Sequence, residues 1–291
     1  MIGSILITGG AGYFGRHFVK RLLRDNLSER ICIYSRDEAK HAAMREQFDN
    51  DERLRFFIGC VRDLPRLKRA MGLGQNLRVD IVVHAAALKR IEVGRYDAEE
   101  FVKTNVDGSI NVIEACRNAY VKQAVLLSSD KAVAACSPYG LTKALAEWLF
   151  LSANDSSGFP APIFTAVRYG NVMGSTGSVV QTWRERLRKR LPLKMTEPGV
   201  TRYWMHVDEA IDLVLRAIDR RRPELLLPEV LPAFALVDLA VAMGGGSSVP
   251  IEITGLPDFE KKHESLALGY SSEHVRRMSV EELREALTHV E

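Results

Sequence analysis

Short apolar runs alternate with helical patterns through the first part of the chain. The runs cover residues 4–8, 30–35, 54–59, 81–86, 124–129 and 163–169. They are nearly continuous in apolar residues rather than alternating, as strands buried on both faces of a parallel sheet require. Between them, hydrophobic positions recur at helical spacing over residues 13–24, 38–48, 64–71, 99–118 and 137–153. The alternation predicts an α/β fold on a doubly wound parallel sheet.

After Tyr169 the rhythm breaks. Residues 170–180 are rich in Gly and Ser, hence a loop, and 182–190 form a basic helical stretch. Residues 208–222 are apolar at helical spacing, 225–228 make a short strand and 236–243 a helix. A turn at Gly244-Gly245-Gly246, a strand over 251–254 and a helix over 280–287 complete the pattern. The expected organisation is a dinucleotide-binding domain over 1–169, with 203–222 packing back on it. A smaller α/β substrate-binding lobe then comprises 170–202 and 223–291.

Composition narrows the class without fixing a function. The 291 residues carry a net charge of +3, too small to point to nucleic acid or a membrane surface. Four cysteines (Cys32, Cys60, Cys116, Cys136) have no paired spacing, which reads as a reduced, cytoplasmic protein without disulfides or a metal site. No signal peptide is expected, since the chain runs almost directly into a strand. No apolar run approaches the roughly 18–20 residues of a membrane span.

The first βα junction reads Leu6-Ile7-Thr8-Gly9-Gly10-Ala11-Gly12-Tyr13-Phe14-Gly15. Glycines at 9, 12 and 15 suit a sharp turn, close approach of backbone to a pyrophosphate, and a helix packed on a strand. The helix start can then hold the anion. Placed on the first strand of a βαβ series, this predicts a Rossmann-type dinucleotide site with Gly9, Gly12, Tyr13, Phe14 and Gly15 in contact. The second strand ends in Ser35-Arg36, which suits the extra phosphate of NADP, while Asp37 leaves NAD open.

Ser128-Ser129-Asp130-Lys131 ends the fifth run, and Tyr139 and Lys143 follow four residues apart. At that spacing the two side chains share a helix face, where an ammonium favours the phenolate. Asp130 and Lys131 stand at a strand's carboxyl end, where ligands of such sheets bind. His84, in an apolar strand, reads as a satisfied core histidine, and the basic run from Arg184 to Arg190 as a solvated face.

With these motifs in place the chain resembles the extended short-chain dehydrogenase/reductase superfamily. More narrowly it resembles the inverting UDP-N-acetylglucosamine 4,6-dehydratases of pseudaminic acid and capsule polysaccharide biosynthesis. The resemblance runs through Tyr34-Ser35-Arg36-Asp37-Glu38, Val61-Arg62-Asp63, His84-Ala85-Ala86-Ala87-Leu88-Lys89 and Lys103-Thr104-Asn105. It continues in Ser129-Asp130-Lys131-Ala132, Tyr139-Gly140 with Thr142-Lys143, Val167-Arg168-Tyr169-Gly170-Asn171, Gly177-Ser178-Val179-Val180 and Thr201-Arg202-Tyr203-Trp204.

That resemblance implies a lyase working in three steps. Tyr139, helped by Lys143 and Ser129, takes the proton of the sugar 4-hydroxyl as hydride moves to the nicotinamide. Lys131 removes the C5 proton, provided its surroundings depress its pKa, and Asp130 helps the 6-hydroxyl leave as water. Hydride returns to C6 and a proton to the other face of C5. The resemblance also implies that Lys89 and Asn105 lie at the cofactor. Lys89, Asn171, Val179, Arg202 and Glu260 would hold the nucleotide sugar. Two rivals stay open: a 4-epimerase or 4-keto reductase of the same superfamily, and a non-catalytic NADP-binding sensor or structural subunit. Relatives are often dimers or hexamers, which leaves a homo-oligomer open.

Two positions depart from the family pattern. Cys60 replaces an Asp that generally contacts the adenine, and Pro257-Asp258-Phe259 replaces a segment whose Arg grips the substrate diphosphate. Both leave the catalytic set intact, and the second loosens the expectation for the nucleotide carrier.

Overall fold

The computed structural model describes residues 2–72, 78–156, 158, 161–244 and 249–290. The first elements are β1 (Ile2–Thr8), α1 (Tyr13–Arg24), β2 (Ser28–Ser35), α2 (Glu38–Gln47), β3 (Leu54–Ile58), α3 (Leu64–Ala70) and β4 (Ile81–His84). Next come α4 (Ile91–Gly94), α5 (Ala98–Phe101), α6 (Gly108–Asn118), β5 (Gln123–Leu127), α7 (Pro138–Ser152) and β6 (Ile163–Val167). The remainder comprises α8 (Val179–Arg188), β7 (Leu193–Met195), β8 (Thr201–Tyr203), α9 (Val207–Arg220), β9 (Leu225–Leu226) and β10 (Ala233–Ala235). It ends with α10 (Leu236–Met243), β11 (Ile251–Ile253), β12 (Ser265–Ala267), β13 (Tyr270–Ser271) and α11 (Val280–Thr288).

Seven strands form one parallel sheet in the order β3-β2-β1-β4-β5-β6-β9. The chain reverses its direction of travel between β1 and β4, so a crevice opens outside their carboxyl ends. Period-two alternation explains the two apolar faces. Ile5, Ile7 and Val125 pack with Phe18 and Leu213 of α1 and α9. Leu6, Val82 and Leu126 pack with Leu67, Val112 and Phe150 of α3, α6 and α7. A separate core around Trp183, Leu193, Trp204, Phe234 and Leu239 holds the later elements together.

Three expectations need correction. Leu225–Leu226, assigned to the smaller lobe, instead closes the large sheet by pairing with Ala166 and Val167. The single helix expected over 99–118 is interrupted by a π-helical turn at Val102–Asp107. The basic run after residue 182 is not simply solvated: Arg184 donates to the carbonyls of Leu287 and Val290, both at 2.8 Å, and so fastens the end of the chain. Beyond Gly244, the expected glycine turn lies outside the described residues. Among the described residues no helix is long and apolar enough to cross a membrane.

One buried ion pair ties these layers. Arg168, just after β6, forks onto both carboxylate oxygens of Glu147 in α7, at 2.9 and 2.5 Å, and donates to the Leu266 carbonyl of β12 at 2.6 Å. Glu147 is 5 % exposed. Removing one partner of a buried pair strands the other charge, so Arg168→Met is expected to cost about 3 kcal/mol, read from the urea unfolding midpoint.

Candidate active site

The carboxyl ends of the central strands open into one cleft of about 1060 Å³. Its dinucleotide end is built by the turn after β1. Gly9 has φ +67°, and a Cβ there would stand 2.9 Å from the backbone nitrogen of Ala86. Gly12, the N-cap of α1, offers no capping side chain, so the helix start turns its backbone dipoles toward the cleft. The Tyr13 hydroxyl donates to the Met173 carbonyl at 3.0 Å and ties this turn to the loop after β6. Phe14 and Gly15 complete the lining.

At the end of β2 the Ser35 hydroxyl lies 2.6 Å from Nε2 of His41, and Arg36 is exposed on the rim. Asp37 is already used: it caps α2 by accepting from the Lys40 amide at 3.0 Å and pairs with the Lys40 ammonium at 3.0 Å. These residues fit a nicotinamide dinucleotide, with a hydroxyl and a guanidinium at the end of β2.

Every sequence-predicted site residue lines the cleft except Asn105. Asn105 is buried inside the π turn. It accepts from the Leu88 amide at 2.8 Å and donates to the Leu88 carbonyl and the Thr142 hydroxyl, both at 3.0 Å. It holds the backbone segment that leads to Lys89 and does not itself line the cleft. His84 is a core residue: Thr8 Oγ1 lies 2.7 Å from Nδ1 and Ser109 Oγ 3.2 Å from Nε2. Ser109 donates to the Asn105 carbonyl, so it accepts from His84 and fixes the neutral tautomer. Burial, with Lys143 nearby, lowers the His84 pKa to about 3.

Helix α7 carries the Tyr–Lys pair. Ser137 caps it by accepting from the Gly140 amide at 3.2 Å, and Pro138 pre-sets its first turn. A Cβ on Gly140 would come within 2.3 Å of the Lys131 carbonyl, so the helix rests directly on the Asp130–Lys131 turn. Lys143 donates to the Leu127 carbonyl. Burial, only partly offset by Glu147, lowers its pKa to about 8. Burial raises the Tyr139 pKa, against a hydrogen bond from Ser129 and the charge of Lys131.

The turn after β5 holds the remaining charges. Asp130 is fully buried, accepts from Ser129 Oγ at 2.8 Å and sits 3.0 Å from Lys131 Nζ. Lys131 also donates to Asn171 Oδ1 at 3.2 Å and pairs with Glu264 Oε1 at 3.2 Å. Burial raises the Asp130 pKa, and the charge of Glu264 adds to the rise. Burial alone would lower the Lys131 pKa, but Asp130 and Glu264 outweigh it and the net shift is upward. This reverses the condition under which the sequence reading made Lys131 a base. Arg202 pairs with Glu260 at 3.2 Å, so the two expected substrate contacts hold each other. Val179 is the first residue of α8, with Ser178 as its N-cap.

A model of the polysaccharide biosynthesis protein family matches residues 5–286. The chain belongs to this family. One relative is the inverting UDP-N-acetylglucosamine 4,6-dehydratase of Campylobacter jejuni, 40% identical over 265 residues, 90% of this chain and 76% of that protein. Another is the UDP-glucose 4-epimerase of Rickettsia prowazekii, 37% identical over 268 residues, 90% of this chain and 77% of that one. Among solved structures, Pen from Bacillus thuringiensis superposes with a TM-score of 0.91 at 28% identity, over 99% of this chain and 97% of that chain. The resemblance read from the motifs is therefore borne out at the level of the family.

Within this family member, the departing positions sit at opposite ends of the cleft. Cys60 lines the dinucleotide end, where its carbonyl accepts from the Tyr34 hydroxyl at 2.9 Å. Phe259 lines a side chamber of about 160 Å³ shared with Cys136, Lys131 and Glu260. Sequence reasoning missed Glu264 as a site residue. Nothing local to residue 264 indicates Lys131.

The Lys143 shift has a testable sign. Its folded pKa, about 8, lies below the ordinary 10.5, so between these pH values the unfolded chain binds the extra proton. Stability contributed by this group therefore rises with pH, by about 3 kcal/mol across that window. Urea unfolding of the native protein and of Lys143→Met at both ends of the window should differ by that rise. A pH-independent difference would show that burial does not perturb Lys143.

Proposed function

We propose that this chain is a nucleotide-sugar 4,6-dehydratase that inverts C5, acting on UDP-N-acetylglucosamine with NADP bound. The observation that carries the reading is the meeting of Asp130, Lys131, Tyr139 and Lys143 in one cleft, with acid and amine 3.0 Å apart. An epimerase needs the Tyr–Lys pair but gives this buried acid–amine pair nothing to do. The 40% identity to the Campylobacter dehydratase supports the same choice. The Rickettsia relative keeps the epimerase as the second reading.

Each side chain has a stated task. Tyr139 takes the proton of the sugar 4-hydroxyl, and Lys143, charged below a pH of about 8, favours the phenolate. Ser129 orients the same oxygen. The resulting 4-ketone acidifies C5, whose proton goes to Lys131 once that amine has shed its own. Asp130, whose pKa burial raises, is placed to pass a proton to the departing 6-hydroxyl. Arg202 exchanges Glu260 for the substrate diphosphate, and Asn171 and Val179 line the approach. A nicotinamide dinucleotide, when bound, supplies reversible hydride acceptance, so no external reductant is consumed.

The preference for NADP rests on Ser35 and Arg36 at the rim and on the engagement of Asp37 as a helix cap. The cytoplasm suits the four cysteines, all unpaired.

Mass spectrometry on UDP-N-acetylglucosamine incubated in deuterated water tests the reaction. The expected product has lost one water and carries solvent deuterium at an inverted C5. A product of unchanged mass with C4 inverted would establish the epimerase instead. Tyr139→Phe should abolish turnover, whereas Lys131→Ala should stop water loss and retain some C4 oxidation. For the cofactor, Arg36→Ala should weaken NADP binding about tenfold and leave NAD binding unchanged, measured by calorimetric titration.

A further inference from the structure

Three acceptors surround the Lys131 ammonium: the Asp130 carboxylate at 3.0 Å, Asn171 Oδ1 at 3.2 Å and Glu264 Oε1 at 3.2 Å. An ammonium has three protons and no lone pair, so this arrangement satisfies it fully. A neutral amine has two protons, and its lone pair would face one of the three oxygens. To act on a substrate, Lys131 must give up one contact and turn its lone pair toward the cleft.

The three contacts are not equally costly to release. Among the described residues Asp130 keeps only Ser129 as another side-chain donor, and Asn171 is neutral. Glu264 has two further cations: Lys261 Nζ at 2.9 Å and Arg202 Nε at 3.9 Å. It is 2 % exposed, and its amide donates to Ser272 Oγ at 2.9 Å, so the carboxylate is held in place after the lysine leaves. We infer that Glu264 is the latch on the catalytic base: it keeps Lys131 charged until substrate draws the amine away and sets the pH at which that lysine becomes a base. Glu264 touches neither expected reacting atom, so it is a positioning residue. The inference deepens the dehydratase reading and rests on it for its catalytic meaning.

The charged and titratable groups facing Lys131 are Asp130 on its own turn, Tyr139 from α7, Arg202 from β8, and Glu260, Lys261 and Glu264 from the segment before β12. Lys261 and Arg202 lower its affinity for a proton, and the carboxylates raise it. Among these, the Glu264 charge can be removed while an acceptor oxygen is kept, by Glu264→Gln.

Reductive methylation with formaldehyde and cyanoborohydride reads the neutral amine directly, quantified at Lys131 by peptide mass spectrometry across pH. Exposed Lys20 serves as the internal control. In Glu264→Gln at neutral pH, Lys131 labelling is expected to rise about tenfold, with Lys20 unchanged, and the acid limb of the dehydration profile to move down by about one pH unit. Glu264→Asp, which withdraws the carboxylate by one methylene, should shift both in the same direction by less and covers a failure of the Gln variant to fold. Unchanged labelling of Lys131 in a folded variant overturns the latch. If the native protein removes no water from any nucleotide sugar, the dehydratase reading fails, while the labelling, which needs no substrate, still decides the latch.

Discussion

The site depends on a balance of charge inside a space nearly closed to water. Asp130 and Glu264 are both buried, and between them stands Lys131. Either carboxylate left alone there would bear a desolvation cost of several kcal/mol. Glu264 escapes it by collecting Lys131, Arg202 and Lys261, whose combined charge brings its pKa down to about 2 even though burial pushes the other way. Asp130 receives less compensation and is raised. One environment thus drives two carboxyls apart, which is the condition for one of them to serve as an acid.

The scaffold makes this balance rigid. Glycine at position 140 lets α7 lie against the carbonyl of Lys131, so the phenol and the amine are held by adjoining backbones. The Arg168–Glu147 pair then joins the same helix to β12, close to the segment that delivers Glu264. On the dinucleotide side, Asn105 clamps the backbone leading to Lys89. Few of these restraints come from groups that contact ligand. They fix the distances at which groups that do contact ligand must work.

The large sheet was legible because its strands are apolar runs long enough to carry a pattern, and because glycines mark the first turn. The strands at 193–195, 201–203 and 233–235 were not, since two or three residues cannot establish a period. The π turn was hidden for another reason. Residues 98–118 have an ordinary helical pattern, and the extra residue in the turn is stabilised by Leu88 and Thr142, which are distant in sequence. The proposed catalytic residues were readable from local spacing together with the family resemblance. The direction of the Lys131 shift was not, because one of the two carboxylates that raise it, Glu264, comes from far along the chain. The partnership of Ser35 with His41 likewise needs α2 folded onto β2 before it exists.

The contact between Lys261 and the Asp130 carbonyl spans 131 residues of sequence. During synthesis, the sheet and the helix bearing Tyr139 can form while this partner is still being made. The acid and amine then have an incomplete set of counter-charges until the long closure to Lys261 is made. A nascent or carboxyl-terminally clipped molecule would therefore possess a dinucleotide fold without a poised acid and base. The dinucleotide fold and the counter-charging of the acid–amine pair are thus separable, the second waiting on a closure across the chain.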